Sequence, residues 1–398
     1  MTGRQASLLL VGWDGGGAVQ PFLGLGRRLA ARGHRVDLMG TATLGDRVRR
    51  AGLPFHPFRR ATSWSPEPGQ PIERNLPAFT LHLLGPEMAY DTMDAIERLH
   101  PDTVVIDHMA VGALCGAERA GAATAVLVHN LYRPWLDGGY AAEWARGRFI
   151  VNGGRAKIGL DALDGPGSYH AELWSRADLV LVNCPAQLDE PPEPLPKNTH
   201  YVGPIFADPR APAAGAPVPE PNRTPLVLVS LSSTYMAQES LAQRVLDAFE
   251  GLGARAVVTL GEGLDPAGFR APPGVTVERF VPHARLLPSV DAVVSHGGLL
   301  TVQDALAHGV PVVCLPGGRD NYQNAARAEA CGAGIALDAE AEPPRIREAI
   351  GEVLVEPGYA RAARDMAGHI AECADGARAV ARIERLAAAA TRARSPRS

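Results

Sequence analysis

The chain has 398 residues, a formal net charge of −4 and a hydrophobic fraction of 46%. That length suggests two or three domains, and the mildly acidic balance excludes the electrostatic footprint of a nucleic-acid or anionic-membrane binder. No apolar run approaches the ~20 residues of a spanning helix, Ala6 to Trp13 lacks a signal-peptide cleavage pattern, and five cysteines without a Cys-x-x-Cys pair point to reduced thiols and a cytoplasmic protein.

In chain order, Ser7 to Gly12 reads as a first buried strand. A helix follows from Pro21 to Arg32, its proline suited to a first turn, and then the strand Arg35 to Met39. Thr103 to Asp107, Thr124 to Val128 and Leu179 to Asn183 are further apolar strands, with a helix from Gly112 to Ala120 between the first two. Pro185 to Arg223 turns proline-rich and loses periodicity, most strongly from Asp208 to Pro221, and reads as a linker. A second series then begins, with strands Leu226 to Leu231, Ala256 to Leu260, Val275 to Val277, Asp291 to Ser295 and Val312 to Leu315. Its helices include Gln238 to Leu252 and Asn321 to Cys331. Gly358 to Arg394 has helical spacing, and Thr391 to Ser398 is expected to fray. Alternating strands and helices imply an α/β chain with a parallel, doubly wound sheet in each half. The expected divisions are 1–207, a linker at 208–223, 224–380, and a terminal helix and tail at 381–398.

One stretch stands out. His296-Gly297-Gly298-Leu299-Leu300-Thr301 follows an apolar strand, and Asp304, Gly309-Val310-Pro311 and Pro316-Gly317-Gly318-Arg319-Asp320-Asn321 come after it. A strand, glycine turn and helix start aim backbone N–H groups and the positive helix end at one place, which makes an anion site. His296 and Thr301 add donors suited to a diphosphate. Asp304, one turn further on, can accept hydrogen bonds from ribose hydroxyls.

These spaced elements resemble the donor-binding signature of family 1 glycosyltransferases, the inverting nucleotide-sugar enzymes of the GT-B fold, and most closely the bacterial natural-product tailoring branch. The resemblance is clearest from Leu226 to Leu337. It implies two Rossmann-like domains facing a central cleft, with an acceptor against 1–207 and a TDP- or UDP-sugar against 224–380, and a last helix that crosses back to the first domain. It further implies that His296 donates to a phosphate as charge grows on the leaving diphosphate, with Gly298, Leu300 and Thr301 at the helix start. The loop Phe280-Val281-Pro282-His283 would carry the base. Ser232, Ser233 and Thr234 would touch phosphates or sugar, and Asp320 and Asn321 would touch sugar hydroxyls. The family's usual residue at 321 is glutamine, so the shorter Asn321 points to a different donor, a deoxysugar among the options. No Asp-x-Asp motif is present, so no metal and no cofactor beyond the nucleotide sugar are expected. The partners implied are a nucleotide sugar and a small-molecule acceptor, for a monomer or homodimer.

The acceptor side departs from the family pattern. Where members show Gly-His-x-x-Pro or Gly-Asp-x-x-Pro, this chain reads Gly17-Ala18-Val19-Gln20-Pro21, and alanine takes no proton. Asp107, the position of the carboxylate that orients the family's histidine, is present. Three explanations stand open. Another residue is the base, with Asp14 and Asp107 leading and His108 and His129 also ending apolar strands. Alternatively the acceptor needs little deprotonation, or the chain binds nucleotide without transferring. Trp13, Trp64, Phe79, Met88 and Trp135, with Phe58, Tyr140 and Trp144, are expected around an apolar acceptor. Rival readings are a nucleotide-sugar epimerase, a silent binding subunit, and a dinucleotide oxidoreductase using Gly12-x-x-Gly15-Gly16-Gly17 with Asp37.

Overall fold

The computed structural model describes residues 5–65, 70, 72–207, 224–232, 236–261 and 263–394. The chain forms two units: Met1–Pro66, Ile72–Ala207 and Cys373–Ser398 make the first, and Glu67–Pro71 with Asp208–Glu372 the second.

The first unit is built on a seven-stranded sheet of order β3-β2-β1-β4-β5-β6-β7. The strands are β1 (Ser7–Val11), β2 (Arg35–Gly40), β3 (Phe55–Pro57), β4 (Thr103–Asp107), β5 (Thr124–Val128), β6 (Leu179–Val182) and β7 (Thr199–Tyr201). Every pairing is parallel. The central strands are buried along their whole length, which explains why they read as unbroken apolar runs rather than alternating ones. The Ala377–Arg394 helix returns to this unit, where Ala379, Val380, Ile383 and Ala387 join a core that includes Leu8, Leu25 and Leu181.

The second unit carries a six-stranded parallel sheet of order β10-β9-β8-β11-β12-β13. Its strands are β8 (Leu226–Ser230), β9 (Arg255–Thr259), β10 (Val275–Glu278), β11 (Ala292–Ser295), β12 (Val312–Cys314) and β13 (Gly334–Ala336). Its core gathers Val227, Val229, Val294 and Val313 with helix residues such as Leu246 and Ile350. The two doubly wound parallel sheets agree with the α/β expectation. In each sheet the strand order reverses once, between β1 and β4 in the first and between β8 and β11 in the second. Open parallel sheets bind ligands at such a reversal, beyond the carboxyl ends of the strands.

Two local expectations need correcting. The proline-rich stretch from Pro185 is not all linker: Thr199–Tyr201 adds β7 to the edge of β6, and three residues are too few to show a period. Fraying from Thr391 is not found either. The helix runs to Arg394, and the Thr391 hydroxyl donates to Ala387 O (3.0 Å) and to Asp102 Oδ1 (3.1 Å). The expected linker 208–223 and the last residues, 395–398, lie outside the described residues. No helix among the described residues is long and apolar enough to cross a membrane.

Candidate functional site

In the second unit the residues of the expected anion site meet at the β8/β11 reversal. The chain leaves β11 through Gly297, whose φ of +85° favours glycine, and a Cβ there would lie 2.8 Å from Asn321 O. The Leu299–Ala307 helix then starts at Gly298, and no side chain caps it. Val302 N–H is the first to find a helix carbonyl, that of Gly298, and among the described residues the amides of Leu299, Leu300 and Thr301 have no acceptor, as the first turn of a helix leaves them. Gly298 and Leu300 are half-buried, as are Thr301 and Asp304. His308 Nδ1 lies 2.8 Å from Asp304 O and 3.6 Å from its carboxylate.

His296 sits directly beneath this helix start. A Cβ on Gly298 would fall 2.6 Å from its Nε2, so only glycine leaves room for the imidazole beside the N-cap. Its Nδ1 lies 3.4 Å from Ser230 O. A carbonyl only accepts, so Nδ1 carries the hydrogen and Nε2, facing the helix start, carries the lone pair. Burial, together with Arg319 and His283 nearby, pushes the imidazole down to about 4. In the free protein His296 is therefore neutral at pH 7 and has no hydrogen on Nε2 to donate. Its expected role as a phosphate donor needs a proton that arrives with the ligand.

The Asn321–Ala330 helix closes the site. Asp320 stands at its N-cap without a capping bond. Asn324 Nδ2 donates to both Asp320 Oδ2 and Gly297 O, each at 2.9 Å, tying the carboxylate to the glycine turn. Asn321 is 3% exposed and its amide nitrogen has no partner among the described residues. The shortened side chain thus stays against the turn rather than reaching outward. In the loop after β10, Phe280 is 73% exposed while Val281 is buried. Neither backbone group of Val281 is hydrogen-bonded among the described residues. His283 Nε2 lies 3.3 Å from the Thr259 hydroxyl, and burial pushes its imidazole down to about 4. Ser232 is buried with its N–H on Gln238 Oε1 at 3.0 Å. Ser233 and Thr234 lie outside the described residues.

In the first unit a polar centre forms at the β1/β4 reversal. Asp107 ends β4 and is 1% exposed. Its Oδ1 accepts from Trp13 Nε1 at 3.1 Å and from Met109 N–H at 2.9 Å, and its Oδ2 lies 2.6 Å from His129 Nδ1. The register explains this meeting. Asp107 pairs with Leu127 across β4 and β5, and a strand period of two brings His129 to the same face. His108 is fully buried against Trp135, Trp174 and His129. Burial, with His129 and His170 beside it, holds its imidazole well below the usual range. The ligand atoms of Asp107, His108 and His129 lie within 4.8 Å of one another, close enough to hold a metal ion.

Asp14 is placed differently. Its Oδ2 accepts from the Thr43 hydroxyl at 2.8 Å and its Oδ1 from Arg47 Nη1 at 3.2 Å, while its N–H donates to Thr41 Oγ1. This pins the loop after β1 to the segment after β2. Asp37, the ribose-binding residue of the dinucleotide reading, is 6% exposed, with its carboxylate held by Arg35 and His56.

Of the expected acceptor side chains, Trp13, Trp64 and Phe79 form one cluster, with ring centroids 5.0–6.0 Å apart, and Trp13 joins it to Asp107. Met88 is fully buried on the Pro86–Leu99 helix, close against Gly112, and Trp135 is 2% exposed among His108, Tyr140 and His170.

The C-terminal domain of erythromycin biosynthesis protein CIII-like proteins matches residues 243–386. A 4'-demethylrebeccamycin synthase from Lentzea aerocolonigenes is 26% identical over 89% of this chain and 93% of its own length. Among solved structures, the glycotransferase of kitacinnamycin superposes with a TM-score of 0.80 at 22% identity, over 96% of this chain and 99% of that one. The glycosyltransferase VinC in complex with dTDP superposes with a TM-score of 0.69 at 18% identity, over 95% and 99%.

Proposed function

We propose that this chain, which belongs to the family 1 glycosyltransferases of natural-product tailoring with the GT-B fold, transfers a sugar from a TDP- or UDP-sugar to a small, largely apolar acceptor with inversion and without a metal. The observation that carries the reading is the uncapped Leu299–Ala307 helix with His296 beneath its glycine N-cap. Three free amides and the positive helix end meet a diphosphate, and the imidazole adds a charge-assisted contact once protonated. These groups act on the leaving diphosphate as its charge grows, which is where preorganised donors lower a barrier most.

Two further features support a nucleotide in this unit. Phe280 offers an exposed ring for stacking, and Val281 offers a free backbone N–H and C=O to a base edge. Asp320, tied to the turn by Asn324, would accept from sugar hydroxyls. The Trp13–Trp64–Phe79 cluster supports an apolar acceptor. The dTDP bound to VinC supports a TDP-sugar as the donor.

The reading is tested by incubating the purified protein with a panel of TDP- and UDP-sugars against an acceptor library and following masses. The expected result is one product gaining one glycosyl unit, with nucleoside diphosphate released. Conversion of the donor into an isomer without acceptor would instead mark an epimerase, and intact donor with every acceptor would mark a binding protein.

A further inference from the structure

We infer that His129 is the general base of sugar transfer and that Asp107 positions it, so that this pair replaces the base missing at Ala18. The inference rests on the transferase reading above and assigns the proton that reading leaves open.

The geometry eliminates the other three candidates in turn. Asp14 has one oxygen on Thr43 and the other on Arg47, so a proton taken there would break an ion pair. Asp107 is buried and already accepts three N–H donors, two on Oδ1 and one on Oδ2. His108 is sealed among Trp135, Trp174 and His170, with both ring nitrogens buried. His129 alone combines a fixed orientation with access. Its Nδ1–H donates to Asp107 Oδ2 at 2.6 Å, and its side chain is 11% exposed. Nε2 has no protein partner among the described residues and is not among the buried, unsatisfied atoms. The hydrogen on Nδ1 leaves the lone pair on Nε2, the arrangement a general base needs. The indole of Trp13 also binds Asp107, and its ring lies 6.5 Å from that of His129. The aromatic cluster is therefore joined to the base through the same carboxylate.

In the step itself a lone pair of the acceptor hydroxyl oxygen forms the bond to the anomeric carbon. The bond from that carbon to the diphosphate oxygen breaks, and its electron pair leaves with the diphosphate. The hydroxyl proton passes to His129 Nε2, and Asp107 faces the resulting imidazolium before the proton returns to water.

The test uses the full chain with a working donor and acceptor pair. His129→Ala is expected to lower kcat by about 10²–10⁴-fold with KM for the nucleotide sugar unchanged. The acid limb of the wild-type pH profile should vanish in the variant, and added imidazole should restore part of the rate. An unchanged kcat, or a lost rate that imidazole does not rescue while the acid limb persists, overturns the assignment. Chelator treatment is expected to leave the wild-type rate intact. A rate lost to chelation and restored by Zn²⁺ overturns it as well, because His129 would then be a ligand beside Asp107 and His108. A readout independent of transfer separates this idea from the proposed function. Nitrogen-15 NMR of the free protein should show the neutral imidazole of His129 carrying its hydrogen on Nδ1, and the opposite tautomer contradicts the inference even if no substrate is found.

Discussion

Asp107→Asn is expected to lower kcat by about 10²–10⁴-fold while nucleotide-diphosphate affinity stays at the wild-type level. Asp107 offers only acceptors to Trp13, Met109 and His129, and an asparagine offers one acceptor and one NH₂. If the amide oxygen keeps Trp13 and Met109, the NH₂ faces His129 Nδ1, which must then become the acceptor. The hydrogen moves to Nε2 and the imidazole can no longer take a proton from an acceptor, so the loss is that of a general base. If the amide turns the other way, two N–H groups in a buried site face a donor, at roughly 1–3 kcal/mol for each unsatisfied group, and the melting temperature falls. Steady-state kinetics, a thermal melt and a TDP titration on one preparation separate these outcomes. A variant with wild-type kcat and an unchanged melting temperature would remove Asp107 from the mechanism.

His296→Ala is expected to weaken TDP binding by about 10–100-fold, the range of one charge-assisted hydrogen bond, and to lower kcat by a further ~10²–10³-fold because the contact strengthens as diphosphate charge develops. The pH dependence gives the more specific signature. Free His296 is pushed down to about 4 and is neutral at pH 7, with its hydrogen on the Ser230 side. A diphosphate against Nε2 favours the imidazolium and raises its pKa in the complex. The complex therefore holds up to one proton more than the free protein. TDP affinity rises as pH falls through the raised value, and this gain levels off near 4, where the free imidazole also protonates. Calorimetry in buffers of different ionisation enthalpy should show proton uptake in the wild type, and none from this residue in His296→Ala. Equal uptake in both would place the diphosphate away from the imidazole.

Much of this arrangement was legible in the residues because both sheets are parallel. Strands such as Leu226–Ser230 and Thr124–Val128 are buried on both faces and read as plain apolar runs. The His296–Thr301 turn was legible because a strand, two glycines and a helix can be arranged in few ways. What escaped depends on neighbours distant in sequence. The hydrogen on His296 is set by Ser230 O, which the β8/β11 pairing brings near. The partners of Asp14 come from the segment after β2, and nothing near Asp14 announces Arg47. His129 was one candidate among four until the β4/β5 register placed it on the Asp107 face. Met88 sits on a helix face with Thr92 and Ala95, a spacing that marks it as core once the helix is recognised. The strands β3, β7 and β13 have three residues each, below the length at which a period can be read.

The central claim is that a diphosphate is held at the start of the Leu299–Ala307 helix. It is tested most directly by determining a crystal structure of the protein grown with TDP. The account predicts phosphate oxygens on the amides of Leu299 to Thr301 and against His296 Nε2. TDP bound instead at Gly15 to Gly17 of the first unit, with that helix start holding only water, would contradict it.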